Sequence, residues 1–207
     1  MLMVKKMGEA QRVITYTYEQ YLEMEQETGL RHEFYFGEVL AMAGGSLAHN
    51  LLCNRLNAMA LDQMPSGCLS FSSDLKLQVV PRGKYYYPDV IVTCHPQDVE
   101  DLSKAQISHP VLVAEVLSDS TEGYDRTDKF LAYTQIPGLK YYLLIAQDQY
   151  RVEVYARQAH DFWSYKRYSQ PHDKVDLEEI GLRFSLEQLY ERVTFPQKEE
   201  KPDEQAG

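Results

Sequence analysis

Residues 85–94 read YYYPDVIVTC and residues 110–121 read PVLVAEVLSDST. Both are strand-like: short runs rich in β-branched and aromatic residues, bounded by turn formers. Each holds one carboxylate among apolar neighbours, Asp89 in the first and Glu115 in the second. An ionised acid in such a run is costly unless it is paired, hydrogen-bonded or bound to a cation. In the second run Val113 and Leu117 share the face of Glu115, because strand side chains alternate, while Ala114 and Val116 point the other way. A strand apolar on both faces belongs in the centre of a covered sheet. In the first run Pro88 precedes Asp89. Proline lacks a ladder donor and marks a strand start or a bulge, so a distortion there turns Asp89 towards a cleft. If the two strands are neighbours, both acids converge at one end of the sheet.

The surrounding chain supplies the partners for these strands. Thr17–Gln26 reads as a short helix, with Thr17 and Gln20 spaced as a capping box. Residues 33–42, EFYFGEVLAM, read as a hairpin about Gly37. Leu52, Leu56 and Met59 recur at helical spacing between His49 and Gln63. SDLKLQVV, residues 73–80, alternates as a strand, with Asp74, Lys76 and Gln78 on one face. Tyr85–Thr93 is the next strand, then a long loop over 94–109, then Pro110–Leu117. Ser118–Gln135 starts with good capping residues and reads as a helix, stopped by Pro137-Gly138. A fourth strand spans 140–146, a hairpin uses 151–155 and 163–168, and a short helix covers 186–192. The order helix, three strands, helix, strand, with additions at both ends, predicts an α/β (α+β) fold around a mixed sheet. One domain over 15–193 is expected, with a flexible N-terminus at 1–14 and a disordered acidic tail at 194–207.

Composition bounds the function. A chain of 207 residues suits one domain, and 44 % hydrophobic content is enough for a core. A formal net charge of −10 and a pI near 5.1 argue against a general nucleic-acid binder. They do not exclude a nuclease, because bound cations or a local basic rim override the average. The three cysteines, Cys53, Cys68 and Cys94, show no paired spacing, so neither a disulfide framework nor a cysteine zinc site is expected. The six histidines show no HxH or HxxxH spacing. The opening MLMVKKMGEAQRV is not of signal-peptide type, and no run approaches the ~18 apolar residues of a membrane span. A cytoplasmic location with no membrane partner is the expectation. Gly44-Gly45 belongs to neither a dinucleotide-binding nor a phosphate-loop pattern and reads as a loop before a helix. Arg151, Arg157, Lys166 and Arg167 are interspersed with Glu153 and Asp161, which reads as an ordinary mixed surface.

Two carboxylates, with waters and a phosphate, form the hard oxygen set that Mg²⁺ takes, with Mn²⁺ as an alternative. Such an ion polarises a phosphoryl oxygen and acidifies an attacking water. A protein cation should stand nearby to meet charge developing at phosphorus. Lys129 is the first candidate, near the start of the helix that leaves the third strand; an ordinary (i, i+4) pair with Asp125 is the competing reading. Lys76, on the strand face of Asp74, competes for the same role.

PDV, the strand ending in EVLSDST, the following YDRTDKFLAY and the strand KYYLLI together resemble the Uma-two family of restriction-endonuclease-like proteins, within the PD-(D/E)XK nuclease superfamily. The similarity spans Thr15–Val193 and includes the hairpin with Gly37, His49 at a helix start, and SDLKL. It implies the restriction-endonuclease core, αβββαβ. It implies that Asp89 is the first acid of the motif and Glu115 the second. Leu117 stands where the motif has lysine, and the resemblance implies that Lys129 has taken that role from the next helix. Glu33 is a candidate for a further carboxylate, His49 for a phosphate contact or base, and Asp74 for a third acid. The implied function is a Mg²⁺-dependent endonuclease-like phosphodiesterase acting on nucleic acid, with DNA preferred. The alternative is an inactive nuclease-fold module for binding or assembly. Double-strand cleavage would suit a two-fold homodimer.

Overall fold

The run expected as one strand over Tyr85–Thr93 is two strands in two different sheets. The computed structural model describes residues 15–42, 44–72 and 75–196. In chain order these form α1 (Tyr18–Thr28), β1 (His32–Tyr35), β2 (Glu38–Ala41), α2 (Leu47–Gln63), β3 (Leu69–Ser72), β4 (Lys76–Val80), β5 (Lys84–Tyr86) and β6 (Val90–Thr93). Next come α3 (Pro96–Val99), β7 (Gln106–Ile107), β8 (Pro110–Leu117), α4 (Glu122–Tyr124), a π-helical turn over Asp125–Lys129, and α5 (Phe130–Tyr133). The chain continues through β9 (Tyr141–Ala146), β10 (Val152–Arg157), β11 (Trp163–Tyr168), β12 (Lys174–Leu177), β13 (Leu182–Ser185) and α6 (Leu186–Leu189).

The first sheet has the order β2-β1-β5-β4-β7, the second β11-β10-β9-β8-β6-β3, and β12 pairs with β13 alone. Tyr87-Pro88-Asp89 is the crossing between the two sheets, outside any strand. The proline explains the break, since it has no N–H for either ladder. Asp89 therefore stands at the entry to β6 rather than inside a strand.

β8 runs antiparallel to β6 and parallel to β9, and its apolar residues are buried on both faces. Leu112, Ala114 and Val116 meet a core that contains Leu52, Leu56 and Ala60 of α2 together with residues of β12, β13 and α6. Val113 and Leu117 meet Ala132 and Tyr133 of α5, with Leu77, Tyr86 and Ile107 from the first sheet. This double cover is why PVLVAEVL is nearly all apolar. Fully burying a side chain such as Leu52 or Leu56 contributes about 1.5–3 kcal/mol.

Local chemistry sets the element ends. Thr17 and Gln20 form the expected reciprocal capping box on α1, and Gly29 closes that helix in the left-handed conformation at φ 65°. The hairpin turns through Phe36 and Gly37, with Gly37 at φ 100°, a backbone that favours glycine. Ser46 caps α2 by accepting from the His49 N–H.

Several expectations change. The strand at 73–80 starts at Lys76, and Ser73 and Asp74 lie outside the described residues. β3, β7, α3 and the β12–β13 hairpin were not anticipated; each strand among them is only two to four residues long, too short for a clear alternation signal. The expected absence of a disulfide is overturned, because Cys68 and Cys94 are bridged across 26 positions of sequence. The pairing of β3 with β6 brings them together, and no spacing rule reports that. Phe195, expected in a loose tail, packs on the rings of Tyr150 and Tyr190 at 4.9 and 5.6 Å. The N-terminal stretch and the tail beyond Pro196 lie outside the described residues. Among the described residues no helix is long and apolar enough to cross a membrane.

Candidate metal and catalytic site

The register of β6 on β8 pairs Val90 with Ala114, so Asp89, the residue before β6, comes beside Glu115, and the two carboxylates interact electrostatically. Asp89 is held from two sides. The Val116 backbone N–H donates to Asp89 Oδ2 at 2.7 Å, and His49 Nε2 lies 3.1 Å from the same oxygen. His49 comes from the first turn of α2, and its Nδ1 stands 3.6 Å from Cys53 Sγ one turn later. With Nδ1 accepting from the thiol, Nε2 carries the proton that reaches Asp89; this tautomer is inferred from the partners. The hydrogen bond to Asp89 raises the imidazole pKa against the opposing effect of burial.

Glu115 is nearly sealed, at 3 % exposed. Its Oε1 accepts from Lys129 Nζ at 3.1 Å and from the Tyr133 hydroxyl at 2.7 Å. Burial pushes its carboxyl well above the ordinary value, and the Lys129 ammonium tempers that. Lys129 is equally close to two more acids, 3.1 Å from Glu33 Oε1 and 3.1 Å from Asp125 Oδ1. Burial alone would lower the lysine pKa, but Glu115, Glu33 and Asp125 together outweigh it and keep the amine charged. No donor is aligned for a hydrogen bond on Asp125 Oδ1, so that contact is electrostatic. Burial raises the Glu33 pKa also, and Lys129 opposes the rise.

A π turn carries Asp125 and Lys129, and the Tyr142 hydroxyl donates to the Asp125 carbonyl at 2.9 Å. Single π turns inside α-helices recur at functional sites. Here the turn points both an acid and a lysine at Glu115 from one helix.

Glu33, His49, Asp89, Glu115, Asp125 and Lys129 line one cleft of about 970 Å³, walled further by Leu40 and Met42 near the end of the hairpin and by the 118–121 loop. Among the described residues that line it, Lys129 is the sole lysine or arginine. The recorded hydrogen bonds to Asp89 and to Glu115 fall on one oxygen of each. That leaves oxygen donors in an acid-rich cleft, a set that fits a hard divalent cation. His49, Cys53 and Asp89 also place one donor atom each within 4.8 Å of the others. His49 already presents its two nitrogens to the other two residues, so the contacts describe a hydrogen-bond chain behind Asp89.

The expected residues divide clearly. Asp89, Glu115, Lys129, Glu33 and His49 are gathered in the cleft. Lys76 is not; it pairs with Glu25 of α1 at 2.6 Å, its amine 4.5 Å from the Tyr21 ring centroid. α1 captures it, with the rings of Tyr85 and Tyr87 beside the amine, because its strand belongs to the first sheet. Asp74 lies outside the described residues. Asp125, considered in sequence only as a rival partner for Lys129, is part of the site, and so is Tyr133. Their spacing at i−4 and i+4 around Lys129 was the available signal. Leu117, where the short motif would place lysine, is buried with Val113 in the apolar layer under α5. Two of the late basic residues are spent locally: Arg151 on Glu122 at 3.1 Å, and Arg157 on the carbonyls of Leu139, Thr134 and Ile136.

The chain is similar to known proteins along most of its length. The uncharacterized protein slr1290 of Synechocystis sp. is 38 % identical over 178 residues, covering 86 % of this chain and 92 % of that protein. A second Synechocystis protein, uncharacterized sll1609, is 37 % identical over 145 residues, covering 70 % and 82 %. The crystal structure of a putative nuclease belonging to DUF820 from Anabaena variabilis superposes with a TM-score of 0.70 at 17 % identity, over 84 % of this chain and 97 % of that one. That likeness establishes a shared fold, of the restriction-endonuclease-like kind expected from the sequence. The model of the family Uma2, described as putative restriction endonuclease, matches residues 18–188, from the first residue of α1 into α6. With the match running through the hairpin, the crossing at Pro88, the strand of Glu115 and the turn of Lys129, this chain belongs to the Uma2 family.

Proposed function

We propose that the protein is a divalent-cation-dependent phosphodiesterase acting on nucleic acid, with DNA as the preferred substrate and Mg²⁺ or Mn²⁺ as the ion. The carrying observation is that Asp89, at the entry to β6, and Glu115 of β8 line one cleft, with Lys129 Nζ 3.1 Å from Glu115. Asp89 and Glu115 would hold the cation through oxygen. When bound, it supplies a Lewis acid and lowers the pKa of coordinated water. His49 and the Val116 N–H fix the Asp89 carboxylate, and the Tyr133 hydroxyl orients Glu115. Lys129 donates to a phosphoryl oxygen and meets the charge that develops there. Burial of Glu115 and Lys129 keeps bulk water away from that contact, which strengthens it. Among the described residues the cleft walls hold no second lysine or arginine, so a cation held by Asp89 and Glu115 would offset the repulsion between an acidic protein and a polyanion. A two-fold pair of chains would suit cutting both strands of a duplex.

The second reading, a nuclease fold that binds or assembles without cutting, is favoured by Leu117 in the place of the motif lysine. One experiment separates the two. The full chain is incubated with supercoiled, linear and single-stranded DNA and with RNA, in Mg²⁺, Mn²⁺ or EDTA. Cation-dependent cleavage that Asp89→Asn abolishes is the expected result. No cleavage of any form, with cation binding unchanged in Asp89→Asn and Glu115→Gln, sinks the enzyme reading and leaves the binding module.

A further inference from the structure

The second sheet ends, away from the carboxylates, in a covalent link that the proposed chemistry does not use. One step beyond the β3–β6 pair Leu69 and Thr93, Cys68 faces Cys94, and their sulfurs are joined. β3 is the outermost strand of that sheet, and both cysteines are half-buried. A cavity of about 420 Å³ opens on the bridge. Both cysteines line it, with Pro65, Val111 and Ile180 as apolar wall and the ion pair of Lys140 with Glu179, 3.0 Å apart. The chain's remaining cysteine, Cys53, is buried and lies against His49. It offers the bridge no ready thiol, so exchange needs one from outside. Nor does β3 rest on the bridge alone. Four ladder pairs with β6, and the Cys68 N–H to Pro65 carbonyl bond of 2.9 Å, also hold it. A reduced chain can therefore stay folded.

We propose that Cys68–Cys94 is a reversible thiol–disulfide exchange site, opened by an external dithiol entering the adjacent cavity, whose state sets the stability of the β3 edge. A thiolate of the dithiol attacks one bridge sulfur. A mixed disulfide forms, the S–S bond breaks, and the other cysteine leaves as thiolate and takes a proton. The dithiol's second thiolate then displaces the first cysteine, which is protonated in turn. Two electrons and two protons pass to the protein, and the dithiol ends as its own disulfide. The bridge closes a loop that contains β4, β5 and Asp89, with its ends 26 residues apart. Opening it returns loop-closure entropy to the unfolded chain and lowers the thermal midpoint by about 7–14 °C. The proposal is independent of nuclease activity.

The test treats the folded full chain with dithiothreitol, then with N-ethylmaleimide, and reads the labelled positions by mass spectrometry. Before reduction neither bridge cysteine should label. After native reduction Cys68 and Cys94 should both label while Cys53 does not, and oxidised dithiothreitol should restore the unlabelled state. Unfolding without reductant should expose Cys53 alone. Cys68→Ser should melt with the reduced protein and ignore dithiothreitol. Labelling of both bridge positions before reduction would show that no bridge exists. Labelling of neither after native reduction would show a sealed structural crosslink. Either result, or a midpoint unmoved by reduction, overturns the proposal.

Discussion

His49 Nε2 stands 3.1 Å from Asp89 Oδ2, and the ring that reaches it rests directly on Gly45. A Cβ at Gly45 would lie 2.7 Å from His49 Nδ1, closer than real contacts allow, and a tight 3.0 Å from its Cγ. The glycine pair that looked like a plain loop thus admits the imidazole that braces Asp89.

Gly45→Ala should push His49 off Asp89 while leaving α2 intact. Support behind a metal ligand typically contributes 10–100-fold in cation affinity. A loss of about that size is expected, measured by Mn²⁺ titration calorimetry, with the helical circular dichroism unchanged. An unchanged affinity would show that His49 does not brace a ligand.

Lys129→Met should leave Glu33, Glu115 and Asp125 without their shared ammonium. Breaking a buried ion pair from one side costs about 3–5 kcal/mol. Chemical denaturation in EDTA should show a loss of that order, and Mn²⁺ should recover more stability in the variant than in the parent. Cleavage should fall by about 10²–10³, the typical cost of removing one transition-state donor. Cleavage at the parent rate would remove Lys129 from the proposed chemistry.

Asp89→Asn tests whether the acid serves an ion or the fold. The Asn side-chain oxygen can still accept the Val116 N–H, and the change removes one negative charge beside Glu115, which the Asp89 carboxylate pushes up in pKa. The thermal midpoint in EDTA should stay level or rise, while the midpoint gain from added Mn²⁺ disappears. A large fall in midpoint without metal would mark Asp89 as a structural partner instead.

Glu153 supplies a pH signature away from the cleft. Burial raises its pKa, but two guanidinium nitrogens of Arg126 at 2.5 and 2.7 Å outweigh that and hold it below the ordinary 4.5. With the native value depressed, the unfolded state takes up the proton first as pH falls. The stabilisation is therefore complete above about pH 4.5 and drains away as pH drops through the native value. Glu153→Gln should be less stable at neutral pH and show a shallower loss of thermal midpoint on the acid side. Parallel acid limbs for parent and variant would contradict the assignment.

Much of the frame was legible in the chain. The apolar run around Glu115, the capping box at Thr17, the hairpin at Gly37 and the helix after His49 each depend on residues a few positions apart, and local sequence pattern reports such features directly. Pro88 announced an irregularity beside Asp89, although not that the chain changes sheets there. In sequence Lys129 stood first and Lys76 competed with it for the same role. Their fates differ because Lys76 sits in the first sheet beside Glu25, while the helix of Lys129 docks over Glu115.

By itself, then, the sequence determined which segments could be strands and helices, that β8 must be covered on both faces, and that two acids stood where apolar burial was otherwise the rule. Only the tertiary structure decided that Asp89 and Glu115 line one cleft, that one ammonium serves Glu33, Glu115 and Asp125, and that Cys68 meets Cys94. The reason is physical. Backbone preference and amphipathic period act over neighbours in the chain, whereas ion pairs and cross-strand bridges form between groups that only sheet register and helix docking bring within a few ångströms.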